Sequence, residues 1–231
     1  MTHYRTVIPL FVGLLLGASA FAAEPPVPFA SREEFGEFVQ GYYTNPQPER
    51  IEAAMRFAAG SDVMTNDSTG LMTQVTFSCL FARYPDRKPA FKQAINSLDE
   101  PARAYFQKAV DSDPADLFLQ VPPQPKKNDM SWGCYFVTGD VGYAQDVIAA
   151  LKNLGERQDM IKFLTASSAQ WSLASIAKDE ARVRAALEQA AKGENKLIAD
   201  AARDALRKSP GELRAAAIEV MKAQKAAGVW K

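Results

Sequence analysis

Residues 141–151 read VGYAQDVIAAL, and the spacing of their apolar members decides the fold. Ala144, Val147, Ile148 and Leu151 stand at i, i+3, i+4 and i+7, which lays one apolar stripe along an α-helix of 3.6 residues per turn. The same template recurs upstream in Phe35-Phe38-Val39-Tyr42, Ile51-Ala54-Met55-Ala58, Phe77-Leu80-Phe81-Tyr84, Phe91-Ala94-Ile95-Leu98 and Ala102-Tyr105-Phe106-Ala109. Downstream it returns in Val183-Ala186-Leu187-Ala190 and Leu213-Ala216-Ala217-Val220. No stretch alternates apolar and polar residues between turn signals, so the expected fold is all-α.

Capping signals agree with the stripes. Ser31 followed by Glu34 is a capping box, and Asp99 before Pro101 and Ser209 before Pro210 repeat a cap-then-proline start. Asp113 is placed to cap a helix from Ala115 onward. Residues 121–128 (VPPQPKKN) read as an extended polyproline connector ending in the basic pair Lys126-Lys127. Breaks fall at Asn45-Pro46, Pro85-Asp86, Gly139-Asp140, Lys178-Asp179 and Ser209-Pro210, with steps of 40, 54, 39 and 31 between their second residues. A period near 40 predicts helical hairpins stacked into an α-solenoid; an irregular helical bundle is the second reading.

One hairpin carries a family resemblance. Tyr135-Phe136-Val137-Thr138-Gly139-Asp140-Val141-Gly142-Tyr143-Ala144, with Ile148 beyond, resembles the centre of a tetratricopeptide (TPR-like) repeat. Tyr135, Gly139, Ala144 and Ile148 match the aromatic, turn and small or apolar positions of that motif. Trp132 and Leu151 replace small residues of the pattern, and its closing proline is absent. The resemblance implies a right-handed superhelix of hairpins whose concave face binds peptides or proteins.

The N-terminus reads as a removable leader. Arg5 precedes the apolar run of residues 7–16 (VIPLFVGLLL), and Ala20 and Ala22 satisfy the small-x-small rule, which places cleavage after Ala22. A spanning helix needs about 20 apolar residues, twice what this run offers. The expected organisation is a signal peptide over 1–22, an extended segment over 23–30 and one helical-hairpin domain over 31–231. Localisation is then periplasmic, with no integral membrane span after the leader is removed. The 27 basic and 27 acidic side chains cancel, and interleaving of the two signs argues against a nucleic-acid partner.

The composition also narrows the chemistry. His3 is the only histidine and lies in the leader, so the mature chain has no imidazole base or ligand. Two cysteines cannot build a thiolate metal cage, and no phosphate loop or nucleophile elbow is present. No catalytic residue, cofactor or metal ligand is assigned. Cys79 and Cys134 are the candidate disulfide: an oxidising compartment favours it, whereas equivalent positions on stacked helices point the same way, and a helix from about 99 to 110 stands to separate them. Trp132 and Tyr143 are the aromatics best placed beside a groove and, with Lys126 and Lys127, the candidate partner-binding residues. The expected function is an exported helical-repeat scaffold for a protein or peptide partner. The alternative is a carboxylate-dependent enzyme acting on a cell-wall glycan, which needs two acids about 5 to 9.5 Å apart. The adjacent acids Glu33-Glu34 and Asp99-Glu100 are explained by helix starts instead.

Overall fold

Orphan amides at the helix starts are met where the sequence supplies a side chain for them. Ser31 accepts from the Glu34 amide while Glu34 accepts from the Ala30 amide, and Ser209 and Glu212 repeat the box in full. Asp113 accepts from the Ala115 amide and Asp140 from the Gly142 amide. Asp99 does not cap: the helix after it begins beyond Pro101, and the Glu100 carboxylate takes the Ala104 amide instead.

The computed structural model describes residues 27–67 and 69–230. The expected leader over 1–22 and its cleavage site, together with residues 23–26, lie outside the described residues. The described residues form twelve α-helices and no strand: α1 (Arg32–Gly41), α2 (Ile51–Ala59), α3 (Gly70–Ala82), α4 (Lys88–Asn96), α5 (Ala102–Asp111), α6 (Pro114–Leu119), α7 (Pro125–Thr138), α8 (Val141–Ala150), α9 (Met160–Ile176), α10 (Ala181–Ala190), α11 (Lys196–Arg207) and α12 (Pro210–Ala226). The fold is all-α. Four of the five breaks read from the sequence lie between two successive helices, and the fifth, Ser209-Pro210, is the N-cap and first residue of α12. No helix among the described residues is long and apolar enough to cross a membrane.

The polyproline connector is corrected. Only its first half is irregular, because Pro125 is the first residue of α7 and Asn128 is buried within that helix. Proline suits a first helical position: its fixed φ is already helical, and the amide it lacks would have had no partner there. Gly139 ends α7 at φ 71°, a left-handed conformation open to glycine, and a Cβ there would also strike the Tyr43 ring.

Helix α7 is the axis of the packing. It touches α1, α3, α8 and α9. Thr76 faces Gly133 and the Arg83 guanidinium reaches the Val137 carbonyl at 2.6 Å, so α3 and α7 run in the same direction. Asn128 meets Thr165 and Ser168, and Trp132 meets Ser172, which makes α9 parallel to α7 as well. From α7 to α11, first helices of successive hairpins pack side by side, as do second helices α8 and α10. The ends depart from that order: α3 is flanked by α5 and α7, and α12 folds back onto α9.

The cysteines sit at the tightest contact. Cys79 of α3 and Cys134 of α7 form a disulfide with Cα atoms 5.4 Å apart. Their equal positions on parallel helices do not keep them apart, because α3 and α7 are direct neighbours and α5 packs on α3 away from the pair. Gly133 lets the backbones close up, since a Cβ there would lie 2.0 Å from Thr76 Oγ1.

Candidate functional site

The parallel course of α1, α3 and α7 leaves an apolar groove of about 440 Å³ between them. Helix α1 contributes Phe35, Gly36 and Val39, α3 contributes Met72 and Phe77, and α7 contributes Trp132 and Phe136. Ile176 at the end of α9 closes one side. Phe35, Phe77 and Trp132 are buried behind the surface, whereas Val39, Met72, Phe136 and Ile176 remain half-open to it. The indole of Trp132 stacks on Phe136, with ring centroids 6.3 Å apart, and is held by its Nε1 donating to Ser172 Oγ at 3.0 Å. A rigid aromatic wall is therefore built before any ligand arrives.

Gly36 gives the groove wall a position without a side chain. A Cβ at that position would meet no atom within 4 Å, so close packing does not require glycine there. Mid-helix glycine costs about 0.5–1 kcal/mol relative to alanine. The helix thus carries a local weakness at a position that lines the groove.

Charge is confined to the rim. Arg32 is paired with Asp62. Across from it Asp129 stands on the exposed side of α7 and, among the described residues, has no ion-pair partner. The groove walls crowd it enough to push its carboxyl above the ordinary carboxylate value, against the opposing pull of Lys126. The Lys126 ammonium is itself committed to the Asp67 carbonyl. At the far end Tyr43 pins α1: its amide donates to the Phe136 carbonyl at 3.0 Å, and its hydroxyl donates to Glu180 Oε2, which also accepts from Tyr135.

The four sequence candidates for partner binding do not converge. Trp132 lies in the groove but is only 5% exposed, a wall and not the projecting platform expected of it, because its indole is needed to pack α7 on α9. Tyr143 lies on the opposite side of α7, stacked on Phe118 at 5.9 Å, with its hydroxyl 3.5 Å from the disulfide sulfur of Cys79. It borders a second hollow of about 670 Å³ together with Lys127, Asp113 and Asp146. Lys127 Nζ donates to the Val121 carbonyl, so both lysines tie the start of α7 to preceding loops and do not project as a basic pair.

Burial pushes the Asp146 carboxyl upward, opposed by Lys127. Asp113 is exposed and occupied in capping α6. Glu34 is drawn below its ordinary value by the Ala30 amide and then by Arg50, and Glu100 binds Arg103, so the adjacent acids act at helix ends. No group of three or more His, Cys, Asp or Glu among the described residues is placed to hold a metal.

Two groove residues escaped the sequence reading. Gly36 lies beside the intact stripe Phe35-Phe38-Val39-Tyr42, and its signal was a glycine in the middle of a helix. Asp129 lay next to a stretch read as connector, and only the true start of α7 puts it beside Trp132 and Gly133. No family model, curated protein or solved structure matches the chain.

Proposed function

We propose that this protein is an exported, periplasmic helical scaffold that binds a segment of a partner protein in the groove between α1, α3 and α7. The observation that carries the reading is the open apolar groove with Gly36 at its mouth, in a helix that alanine would stabilise. A surface concavity of this size, apolar in its walls and charged only at the rim, suits side chains of a docked segment. The TPR-like hairpin at residues 135–148 accords with that use, and the repeated hairpins supply a rigid frame.

A second reading draws on one observation. Asp113 and Asp146 border the same hollow, and the raised Asp146 carboxyl suits a general acid acting on a glycan. The scaffold is favoured because both carboxylates are exposed and Asp113 is already engaged by the Ala115 amide.

The test runs capture from envelope extracts with the mature chain and with Gly36→Trp, side by side with a glycan-cleavage assay. A protein retained by the native chain and lost when the groove is plugged is the expected result. Equal capture by both chains, or glycan cleavage abolished by Asp146→Asn, overturns it.

A further inference from the structure

The groove is asymmetric in charge, and that asymmetry selects its occupant. On the α1 side Arg32 is neutralised by Asp62, so that rim presents a closed ion pair. On the α7 side the carboxylate of Asp129 stands without an ion-pair partner among the described residues, although Lys126 lies close enough to influence it. Lys126 does not close the gap, because its ammonium is held by the Asp67 carbonyl. Asp129 is exposed at the groove rim, so a cation delivered by a ligand can reach its carboxylate without displacing another ion-pair partner. Met72, on the α3 wall of the same groove, would bury the aliphatic stem of a long basic side chain.

We infer that the groove takes a peptide segment in which one or two large apolar side chains lie next to a lysine or arginine, the apolar groups entering past Gly36 and the cation meeting Asp129. This inference rests on the partner-binding reading of the same groove. The volume, about 440 Å³, is that of a small ligand pocket and holds a short anchor, not a whole helix face. Specificity divides accordingly: the walls accept any large apolar residue, and Asp129 discriminates by charge. An acidic neighbour in the segment would face Asp129 as a like charge and be rejected.

The experiment selects a displayed library of random 12-residue peptides on the mature chain, on Gly36→Trp and on Asp129→Asn. A cysteine-intact melting curve confirms that each variant folds, and a Cβ at position 36 meets no atom within 4 Å. The expected result is enrichment of an apolar residue adjoining Lys or Arg on the native chain, and loss of that enrichment on Gly36→Trp. On Asp129→Asn the apolar preference persists and the basic one disappears. A selected peptide synthesised with Lys or with Gln at the basic position should differ roughly fivefold in Kd on the native chain, and the difference should shrink at 1 M salt. Enrichment of apolar residues without a basic neighbour overturns the inference and leaves the groove reading standing. Enrichment unaffected by Gly36→Trp, or no enrichment at all, overturns both.

Discussion

Around α3 the interior is filled with rings, and around α9 alanines are interleaved with branched aliphatic side chains. The first core gathers Phe29, Phe35, Phe38, Phe77, Phe81, Phe91 and Phe106 with Tyr42, and its rings meet edge-on, as Phe77 and Phe106 do at 4.9 Å. The second sets Ala144, Ala169, Ala174, Ala177, Ala201, Ala202 and Ala205 among Val147, Ile148, Leu151, Leu173, Val183, Leu187 and Leu213, with rings only at Trp132 and Tyr135 on its α7 side. Regular side-by-side hairpins occur in the alanine-rich half. The apolar groove opens where the two cores meet, with Phe35 and Phe77 from the first and Trp132 from the second.

The comparison breaks most sharply under opposite substitutions. Phe106→Ala should empty a large, fully buried site and cost about 3–5 kcal/mol in denaturant unfolding. Ala202→Leu should overpack the other core and cost about 1–3 kcal/mol. If the alanine core absorbs the leucine at no cost, its helices are not closely packed and the contrast fails.

Removal of the disulfide comes next. It closes a loop of 55 residues, worth roughly 4 kcal/mol in the chain-entropy model, and links α3 to α7 inside the aromatic core. Cys79→Ser with Cys134→Ser should lower Tm, with the larger loss of amide protection in α3 and α7 than in α11 and α12. Both native cysteines should resist thiol labelling without reductant. Rapid labelling would remove the covalent difference between the two halves.

Acidification gives the smallest and most local effect. Asp204 is held below its ordinary value by Lys208 and then Arg207, Glu156 by the amides of Gln158, Asp159 and Arg157, and Glu212 by Ser209. A carboxyl lowered in the fold contributes stability above its unfolded value, near 4.5 for glutamate and 3.8 for aspartate, and loses it as pH falls through the folded one. Asp129 and Asp146 are raised by burial and act in reverse, opposing the fold when charged and ceasing to do so on protonation. Protection of α11 and α12 should therefore decline before that of α7 as pH drops from 5 toward 3, read by hydrogen exchange. Simultaneous loss would show that these contacts do not distinguish the regions.

The sequence disclosed helices in proportion to how one-sided they are. α2, α4, α5 and α8 bury one face and were legible from their stripes. α9 was not, because Thr165, Ser167 and Gln170 are buried beside Phe163, Ala166, Ala169, Leu173 and Ala174, while Ile161, Leu164 and Trp171 lie off that face, so the buried face does not read as an apolar stripe. α11 was missed for another reason: its buried stripe of Ala199, Ala201, Ala202 and Ala205 is too small to register as apolar. At the groove, Trp132 was identified from its residue type, but its burial depends on α9, which the stripes did not reveal. The disulfide was left open between compartment chemistry and helix register, and the decisive fact was the direct adjacency of α3 and α7, which depends on where α5 packs.

The shared carboxylate oxygen of Glu180 gives the groove a mechanical character. It accepts from Tyr43, 137 residues away, and from Tyr135, while the guanidinium of Arg182 lies 5.5 Å over the Tyr43 ring. The last turn of α1 is thereby fastened to α7 and to the start of α10, whereas its first turn is secured to the loop after α2 by the exposed Arg32–Asp62 pair. Between these two ends Phe35 and Phe38 are buried in the aromatic core and Glu34 binds Arg50, so the wall that α1 gives the groove is tied down along its whole length.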